Sequence, residues 1–229
     1  MIYITGDTHI PLDISKLNTT NFPEQKDMTK YDYLIILGDF GLYWKNDKTF
    51  KHWHKWLQEK PFTVLWIDGN HENFDMIEQL PIIDWHNGKV HSDSNIIHLM
   101  RGYCYNIDGK NFLTAGGAES YDKECRVEGE SWWRQELWNY TEQERLFNTI
   151  DNCKRNDIKI DYILSHTCPS SIIGPMFQIY NNNDPTTRML DEVYRERGRT
   201  INGWYFGHWH CDKQFGIFKC MYNNIERLS

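Results

Sequence analysis

The chain has 229 residues, 40% of them hydrophobic, which is enough for one globular domain with a sizeable core, and we expect a single domain over residues 1–229. Its formal net charge of −7 argues against duplex nucleic acid as a partner, because that partner requires clustered Lys and Arg. With no run of 18 apolar residues and no leader peptide, the sequence predicts a cytoplasmic protein that has no membrane partner.

The six cysteines agree with a reducing compartment. They are scattered along the chain with no CxxC spacing, which favours reduced thiols over a disulfide framework. Cys168 and Cys211 stand beside two of the histidine-containing blocks described below. Oxygen and imidazole groups already supply enough candidate metal ligands there, so neither thiol is needed as a ligand.

The first 80 residues alternate short apolar runs with helical patterns. Continuous apolar runs predict buried strands at 2–5, 33–37 and 62–67, because a strand that is covered on both faces needs no polar alternation. The spacing of aromatic and apolar residues predicts a helix over 48–58, and a second helix is expected over 73–79. This alternation of strand, loop and helix is typical of parallel βαβ units.

Strands and helices are mixed in the rest of the chain. Further strands are predicted at 95–99, 102–107, 111–115, 160–164 and 203–206. The stretch 95–115 is predicted to be a hairpin, and the last 25 residues also look antiparallel. One helix is expected after a capping box of Thr141 and Glu144, and another between Asp184 as N-cap and Gly198. The sequence therefore predicts a mixed α/β fold.

Five short polar blocks end or closely follow the apolar runs. They are GDTH at 6–9, GDFG at 38–41, GNHE at 69–72, SHT at 165–167 and GHWH at 207–210. Ligands bind at the carboxyl ends of strands in open α/β sheets, so we expect the blocks to meet in space. Asp7 and His9 are two residues apart, as are His208 and His210, and this spacing points both side chains to one side of an extended segment.

In these blocks and their order, the chain resembles the calcineurin-like metallophosphoesterase superfamily, and in its GDFG block the members from bacteria and phages. The resemblance implies a four-layer αββα sandwich of two mixed β-sheets flanked by helices. It also implies a dinuclear metal site with a bridging hydroxide, whose two divalent ions would be Mn, Fe, Zn or Ni. One ion would be held by Asp7, His9, Asp39 and His210, and the other by Asp39, Asn70, His166 and His208.

The same resemblance implies that His71 protonates or stabilises the leaving oxygen. The implied activity is hydrolysis of phosphate esters, with a phosphodiester, a nucleotidyl compound or a small phosphomonoester as substrate. A Ser/Thr-type protein phosphatase is one alternative, but residues 42–44 replace the Asp-Arg-Gly that follows the second block in those enzymes. A non-catalytic metal-binding scaffold is the other alternative, and it would not need His71. Glu72 is expected to interact with the dipole of the following helix.

Two arginines are candidates for substrate binding. Arg101 either replaces the arginine that those phosphatases use or covers the predicted hairpin. Arg126 lies in the long segment 116–139, which is rich in aromatic and charged residues. In the same segment, Trp132 and Trp133 either stack on a flat part of the substrate or fill the gap between sheets and helix. We expect at least one of the two to be structural.

Overall fold

A computed structural model of the chain describes residues 1–180, 182–198 and 200–228. Within these ranges the strands are β1 (Ile2–Thr5), β2 (Tyr33–Leu37), β3 (Thr63–Ile67), β4 (Ile82–Trp85), β5 (Gly88–Asp93), β6 (Ile96–Leu99), β7 (Cys104–Ile107), β8 (Lys110–Ala115), β9 (Tyr162–Ser165), β10 (Gly203–Phe206), β11 (Lys213–Phe215), β12 (Phe218–Cys220) and β13 (Glu226–Leu228). The α-helices in the same ranges are α1 (Lys48–Gln58), α2 (Phe74–Ile77), α3 (Tyr140–Arg155), α4 (Ser170–Phe177) and α5 (Pro185–Arg197).

The first sheet has seven strands in the order β13-β1-β2-β3-β6-β5-β4. Its centre is parallel, because β1 pairs with β2, β2 with β3 and β3 with β6 in the same direction. Antiparallel β13 closes one edge, and the hairpin of β4 and β5 closes the other. The carboxyl ends of β1, β2 and β3 therefore lie side by side.

The second sheet has six strands in the order β11-β12-β10-β9-β8-β7. Strands β8, β9, β10 and β12 are parallel, and β7 and β11 are antiparallel strands at the two edges. As in the first sheet, parallel neighbours bring their carboxyl ends together, here those of β8, β9 and β10.

Alternate residues of the central strands face two different hydrophobic clusters. In β2, Leu34 and Ile36 pack in a cluster that includes side chains of α1, while Ile35 and Leu37 pack in a cluster shared by the two sheets. Successive side chains of a strand point to opposite faces, so both faces of β2 are buried and its sequence is continuously apolar. A third cluster lies between the second sheet and α3, α4 and α5. The layers run helix, sheet, sheet, helix, which confirms the predicted four-layer αββα sandwich.

The prediction of a hairpin over 95–115 is wrong. Strand β6 belongs to the first sheet, where it pairs with β3 and β5, whereas β7 and β8 form a hairpin in the second sheet. The chain passes from one sheet to the other through a turn at Gly102, whose φ of 79° favours glycine. Apolar periodicity predicts that strands exist, and it does not show which sheet each strand joins.

The helices also differ in part from expectation. The capping box of α3 is formed by Asn139 and Glu142 instead of Thr141 and Glu144, since the Asn139 side chain accepts the backbone N–H of Glu142. The second predicted helix is reduced to the single turn of α2, and α4 lies in a stretch for which no helix was predicted. No helix in the part of the chain that the structure describes is long and apolar enough to cross a membrane.

Candidate metal centre

The five polar blocks meet at the edge where strands of both sheets end. Strands β1, β2 and β3 of the first sheet lead into the first three blocks, and β9 and β10 of the second sheet lead into the last two. The structure thereby brings together all eight residues that the blocks were predicted to supply: Asp7, His9, Asp39, Asn70, His71, His166, His208 and His210.

The first ligand group consists of Asp7, His9, Asp39 and His210. Each of these residues offers one oxygen or nitrogen atom, and the four atoms all lie within 4.8 Å of one another. His9 Nε2 is 3.3 Å from Asp39 Oδ2, and His210 Nε2 is 3.2 Å from Asp7 Oδ2. Two carboxylates and two imidazoles at such distances suit a divalent transition metal ion.

The second ligand group consists of Asp39, His166 and His208, whose ligand atoms likewise lie within 4.8 Å of one another. His166 Nε2 is 3.3 Å from Asp39 Oδ1 and 3.1 Å from Asn70 Oδ1, so the Asn70 amide joins this group. Asp39 faces the first group with one carboxylate oxygen and the second group with the other. The donor set therefore fits two ions that share Asp39.

Four of the candidate ligand residues have an uncommon backbone conformation. The φ angles are 34° at His9, 46° at Asp39, 67° at His208 and 46° at His210, in the left-handed region that non-glycine residues seldom adopt. Each such residue costs on the order of 1–3 kcal/mol unless its surroundings hold it, and such residues cluster at functional sites.

Glycine precedes the ligands Asn70 and His208 at two places where a carboxylate approaches the backbone closely. A Cβ atom on Gly69 would lie 2.1 Å from Asp39 Oδ1, and one on Gly207 would lie 2.1 Å from Asp7 Oδ1. Both distances are shorter than any van der Waals contact, so a larger residue would displace a carboxylate from the centre. This explains the glycines in GNHE and GHWH.

Two of the ligand imidazoles are oriented by contacts of the ring nitrogen that faces away from the centre. His9 Nδ1 lies 2.8 Å from Asp13 Oδ2, and His166 Nδ1 donates to the carbonyl of Leu37 at 2.7 Å. These contacts hold the Nε2 atoms toward the centre, as partners behind metal-binding histidines generally do. Sequence reasoning missed Asp13, although its position four residues after His9 is a recognisable signal.

The carboxylates of the centre favour positive charge on two of its imidazoles. Burial lowers the pKa of His166, but the charge and hydrogen bond of Asp39 outweigh burial and raise that pKa to about 10. Burial likewise opposes a rise in the pKa of His9, which the carboxylate of Asp39 nevertheless brings to about 9. Carboxylates that hold protons on neighbouring imidazoles in this way also favour divalent cations in place of those protons.

Beside the ligands is a cavity of about 370 Å³. Its lining residues are Asp39, Asn70, His71, Tyr121, Asp122, Arg126, His208, Trp209 and His210. The guanidinium of Arg126 faces the ring of His71, with an Nη atom 3.3 Å from each ring nitrogen, and it also pairs with Asp122 at 2.8 Å. The backbone N–H of His71 donates to Asp39 Oδ1 at 2.7 Å. Burial lowers the pKa of His71, and the charge of Arg126 lowers it further against the effect of Asp39.

The structure places Arg101 outside this cavity. Arg101 is 3% exposed, its Nε donates to Asp68 Oδ2 at 2.6 Å, and its Nη2 donates to the carbonyls of Gln135 and Glu136. A guanidinium with buried partners on these sides is not available to a substrate. The candidate substrate site therefore contains Arg126 and not Arg101, and the contacts of Arg101 correspond to a structural role.

Two other side chains of the polar segments are structural. Trp133 is buried, packs edge to face on Trp44 and donates from Nε1 to Asp75 Oδ2 at 2.9 Å. Glu72 is also buried, and its carboxylate accepts the backbone N–H of Phe40 at 2.7 Å. Glu72 therefore ties the second block to the third. It precedes the N-cap of α2, so the expected interaction with the helix dipole is replaced by this contact.

A comparison with protein families agrees with the motifs. The model of the calcineurin-like phosphoesterase family matches residues 1–212, a range that contains every candidate ligand. No protein of curated function matches the chain. Among solved structures, the chain aligns with a putative 5′-nucleotidase from Staphylococcus aureus in complex with alpha-ketoglutarate, at 14% sequence identity and a TM-score of 0.48. That alignment covers 96% of this chain and 48% of the other, so the chain spans about half of that protein's length. The chain belongs to the calcineurin-like phosphoesterase family.

Proposed function

We propose that the chain is a metal-dependent hydrolase of phosphate esters that holds two divalent ions. The observation that carries this proposal is the position of Asp39, whose two carboxylate oxygens each face a different ligand group. The first ion would be held by Asp7, His9, Asp39 and His210, and the second by Asp39, Asn70, His166 and His208. Mn, Fe, Zn and Ni accept this mixture of carboxylate, imidazole and amide ligands.

The charge of such a site favours an anionic substrate. Two dications carry about +4 and the two ligand carboxylates carry about −2, so about +2 remains to attract a phosphate group. Two divalent ions, when bound, supply polarisation of the phosphoryl oxygens and a lower pKa for a water molecule. Phosphate-ester hydrolysis uses both of these effects.

Side chains of the cavity would bind the substrate and donate a proton to the leaving oxygen. Arg126, whose guanidinium lines the cavity, is placed to donate N–H groups to phosphate oxygens. His71 lies between Arg126 and Asp39 and is placed to donate a proton to the leaving oxygen. Tyr121 is 64% exposed at the rim, where its ring can contact a group beyond the phosphate. A cavity of about 370 Å³ suits a phosphodiester, a nucleotidyl compound or a small phosphomonoester better than a folded phosphoprotein.

A screen of phosphate esters with added metals tests this function. Metal-free protein is loaded with Mn²⁺, Ni²⁺, Zn²⁺ or Mg²⁺ and assayed on aryl mono- and diesters, cyclic nucleotides and dinucleotide polyphosphates. We expect hydrolysis of an activated aryl phosphodiester only when a divalent transition metal is added. Asp39→Ala should bind less metal and lose this activity, because Asp39 is the ligand that both groups share.

Two results would contradict the proposal. Full activity of Asp39→Ala in the presence of a chelator would exclude the two-metal site. A metal-loaded protein that hydrolyses none of the esters would instead support the non-catalytic scaffold.

A further inference from the structure

The side chain of Asn70 must be held in one of two orientations to serve as a metal ligand. Its amide has an oxygen that binds cations and an NH₂ group that repels them, and the two ends are nearly equal in size. A rotation of the amide by half a turn would therefore replace a ligand with a repelling group. The neighbours of the amide decide which end faces the centre.

A chain of buried hydrogen bonds leads away from this amide. Asn70 Nδ2 donates to Ser120 Oγ at 3.1 Å, and Ser120 Oγ donates to Glu136 Oε2 at 2.7 Å. The backbone N–H of Ser120 donates to the other carboxylate oxygen, Glu136 Oε1, at 2.9 Å. Asn70, Ser120 and Glu136 are 4%, 2% and 0% exposed, so water does not compete for these bonds.

The direction of the hydrogen bonds follows from the carboxylate. An ionised Glu136 only accepts, so the single hydroxyl proton of Ser120 goes to Glu136. The Ser120 oxygen then has only lone pairs to offer Asn70, and it must receive an N–H from the amide. The opposite end of the amide, Oδ1, consequently faces His166 Nε2 at 3.1 Å in the second ligand group.

Arg101 contacts the segments on both sides of this chain of bonds. Its Nη2 donates to the carbonyls of Gln135 and Glu136, and its Nε donates to Asp68, which stands two residues before Asn70. Burial raises the pKa of Glu136, whereas the hydrogen bonds from Ser120 and the charge of Lys123, whose ammonium group lies 3.9 Å from Glu136 Oε1, oppose this rise and favour the ionised carboxylate. The carboxylate therefore has a fixed position relative to the third block.

We propose that Glu136, acting through Ser120, is a positioning residue that turns the Asn70 amide with Oδ1 toward the second metal position. The inference rests on the proposed two-metal function and extends it to residues that lie outside the ligand groups. It also assigns a role to Ser120 and Glu136 in the segment 116–139, whose function the sequence does not determine.

Glu136→Gln tests the proposal because it should reverse the hydrogen bonds. The glutamine carbonyl must face the backbone N–H of Ser120, which places its NH₂ group against Ser120 Oγ. The hydroxyl proton is then free to point at Asn70, and it favours an amide turned the wrong way. We expect the affinity for Mn²⁺ at the second position to fall about 10- to 100-fold, measured by calorimetric titration of the metal-free protein at pH 8.

A matched control is Glu119→Gln. It removes the same charge next to Ser120, but the Glu119 carboxylate has Lys123 as its partner, at 2.5 Å. Its Mn²⁺ affinity should equal that of the wild type. If Glu136→Gln does not fold, as judged by thermal unfolding without metal, Ser120→Ala takes its place. Ser120→Ala should weaken the second position, and an unchanged affinity in that variant would refute the positioning role.

A double-mutant cycle separates positioning from general support of the fold. In an Asn70→Asp background both ends of the side chain are oxygens, so its orientation no longer matters. There we expect Glu136→Gln to change Mn²⁺ affinity less than twofold. An equal loss in both backgrounds, or no loss in either, would overturn the inference. A wild type that binds fewer than two Mn²⁺ ions would overturn the proposed function together with this inference, whereas two bound ions and no effect of Glu136→Gln would overturn the inference alone.

Discussion

His71 is a side chain of the cavity that is not needed as a ligand in either group, although its backbone N–H binds Asp39. We therefore predict that His71→Ala keeps both metals and loses about 10²- to 10⁴-fold in turnover of an ester with an alkyl leaving group. A nitrophenyl leaving group barely needs a proton, so the loss for that ester should be smaller. Metal content and kcat for both esters check the prediction. Equal losses for the two esters would assign His71 to binding or structure.

Arg126 should matter for binding more than for turnover. We predict that Arg126→Ala raises KM for a natural-size substrate about tenfold or more, since a hydrogen bond to a charged group contributes about 1.5–3 kcal/mol. Turnover of a minimal aryl phosphate should change little. Arg134→Ala is a suitable control, because Arg134 lies in the same segment, is exposed and pairs with Glu128. Similar kinetic effects of the two substitutions would remove Arg126 from the substrate site.

Single residues differ in how far the sequence predicts their place. The candidate ligands and His71 come directly after buried strands, so block and strand together place them at one edge. Ser120 and Glu136 lie in a long segment without periodicity, and the contacts of Glu136 with Ser120 and of Ser120 with Asn70 depend on how that segment folds back. The sequence did not decide between a substrate-binding and a structural role for Arg101 for a related reason, because its partner Asp68 is distant in the sequence.

At the level of the elements, the start of α3 allows a direct test of sequence against structure. The Asn139 side chain accepts the N–H of Glu142, and the Glu142 carboxylate accepts the N–H of Asn139. We predict that Asn139→Ala lowers the free energy of unfolding by about 1 kcal/mol, as the loss of an N-cap usually does. Thr141→Ala should stay within about 0.5 kcal/mol of the wild type, because Thr141 is exposed inside the helix. Urea unfolding of both variants measures this, and a larger effect at Thr141 would restore the capping box predicted from the sequence.

Most of the strands that the sequence predicted have two buried faces, and β7, an edge strand that buries alternate residues, is an exception. Strand β4 was missed because it is an edge strand with exposed Ile82 and Ile83, and its partner β5 has the mostly polar sequence GKVHSD. Strands β11, β12 and β13 have three residues each, which is too short for a reliable period. Pairing between distant segments, such as that of β6 with β3, depends on the packing of the whole sheet.

At the scale of the whole molecule, the metal centre depends on the contact between the two sheets. Ligands after β1, β2 and β3 come from the first sheet, and those after β9 and β10 come from the second. A hydrophobic cluster that includes Ile35, Leu65 and Leu164 joins the sheets, so the distances between the ligand groups depend on the core as a whole. The motifs predict which residues meet, and the distances between them are set by this packing.

The stability of the whole fold should depend on pH through His91. Its ring is buried and stacks on that of His98, with the two Nδ1 atoms 3.0 Å apart, and His98 Nε2 lies 3.1 Å from Asp68. Burial and the nearby His98 lower the pKa of His91 to about 4, and Asp68 opposes this only in part. In the unfolded chain the pKa of a histidine is about 6.5, so between these values the unfolded state binds a proton that the folded state does not. The contribution of His91 to stability is therefore complete above about pH 6.5 and is lost as the pH falls toward about 4.

We predict that metal-free wild type loses more free energy of unfolding over this range than His91→Gln, as measured by urea unfolding at several pH values. The two proteins have all their other ionisable groups in common. A difference between their stability curves that does not change with pH would therefore show that His91 does not titrate in this way.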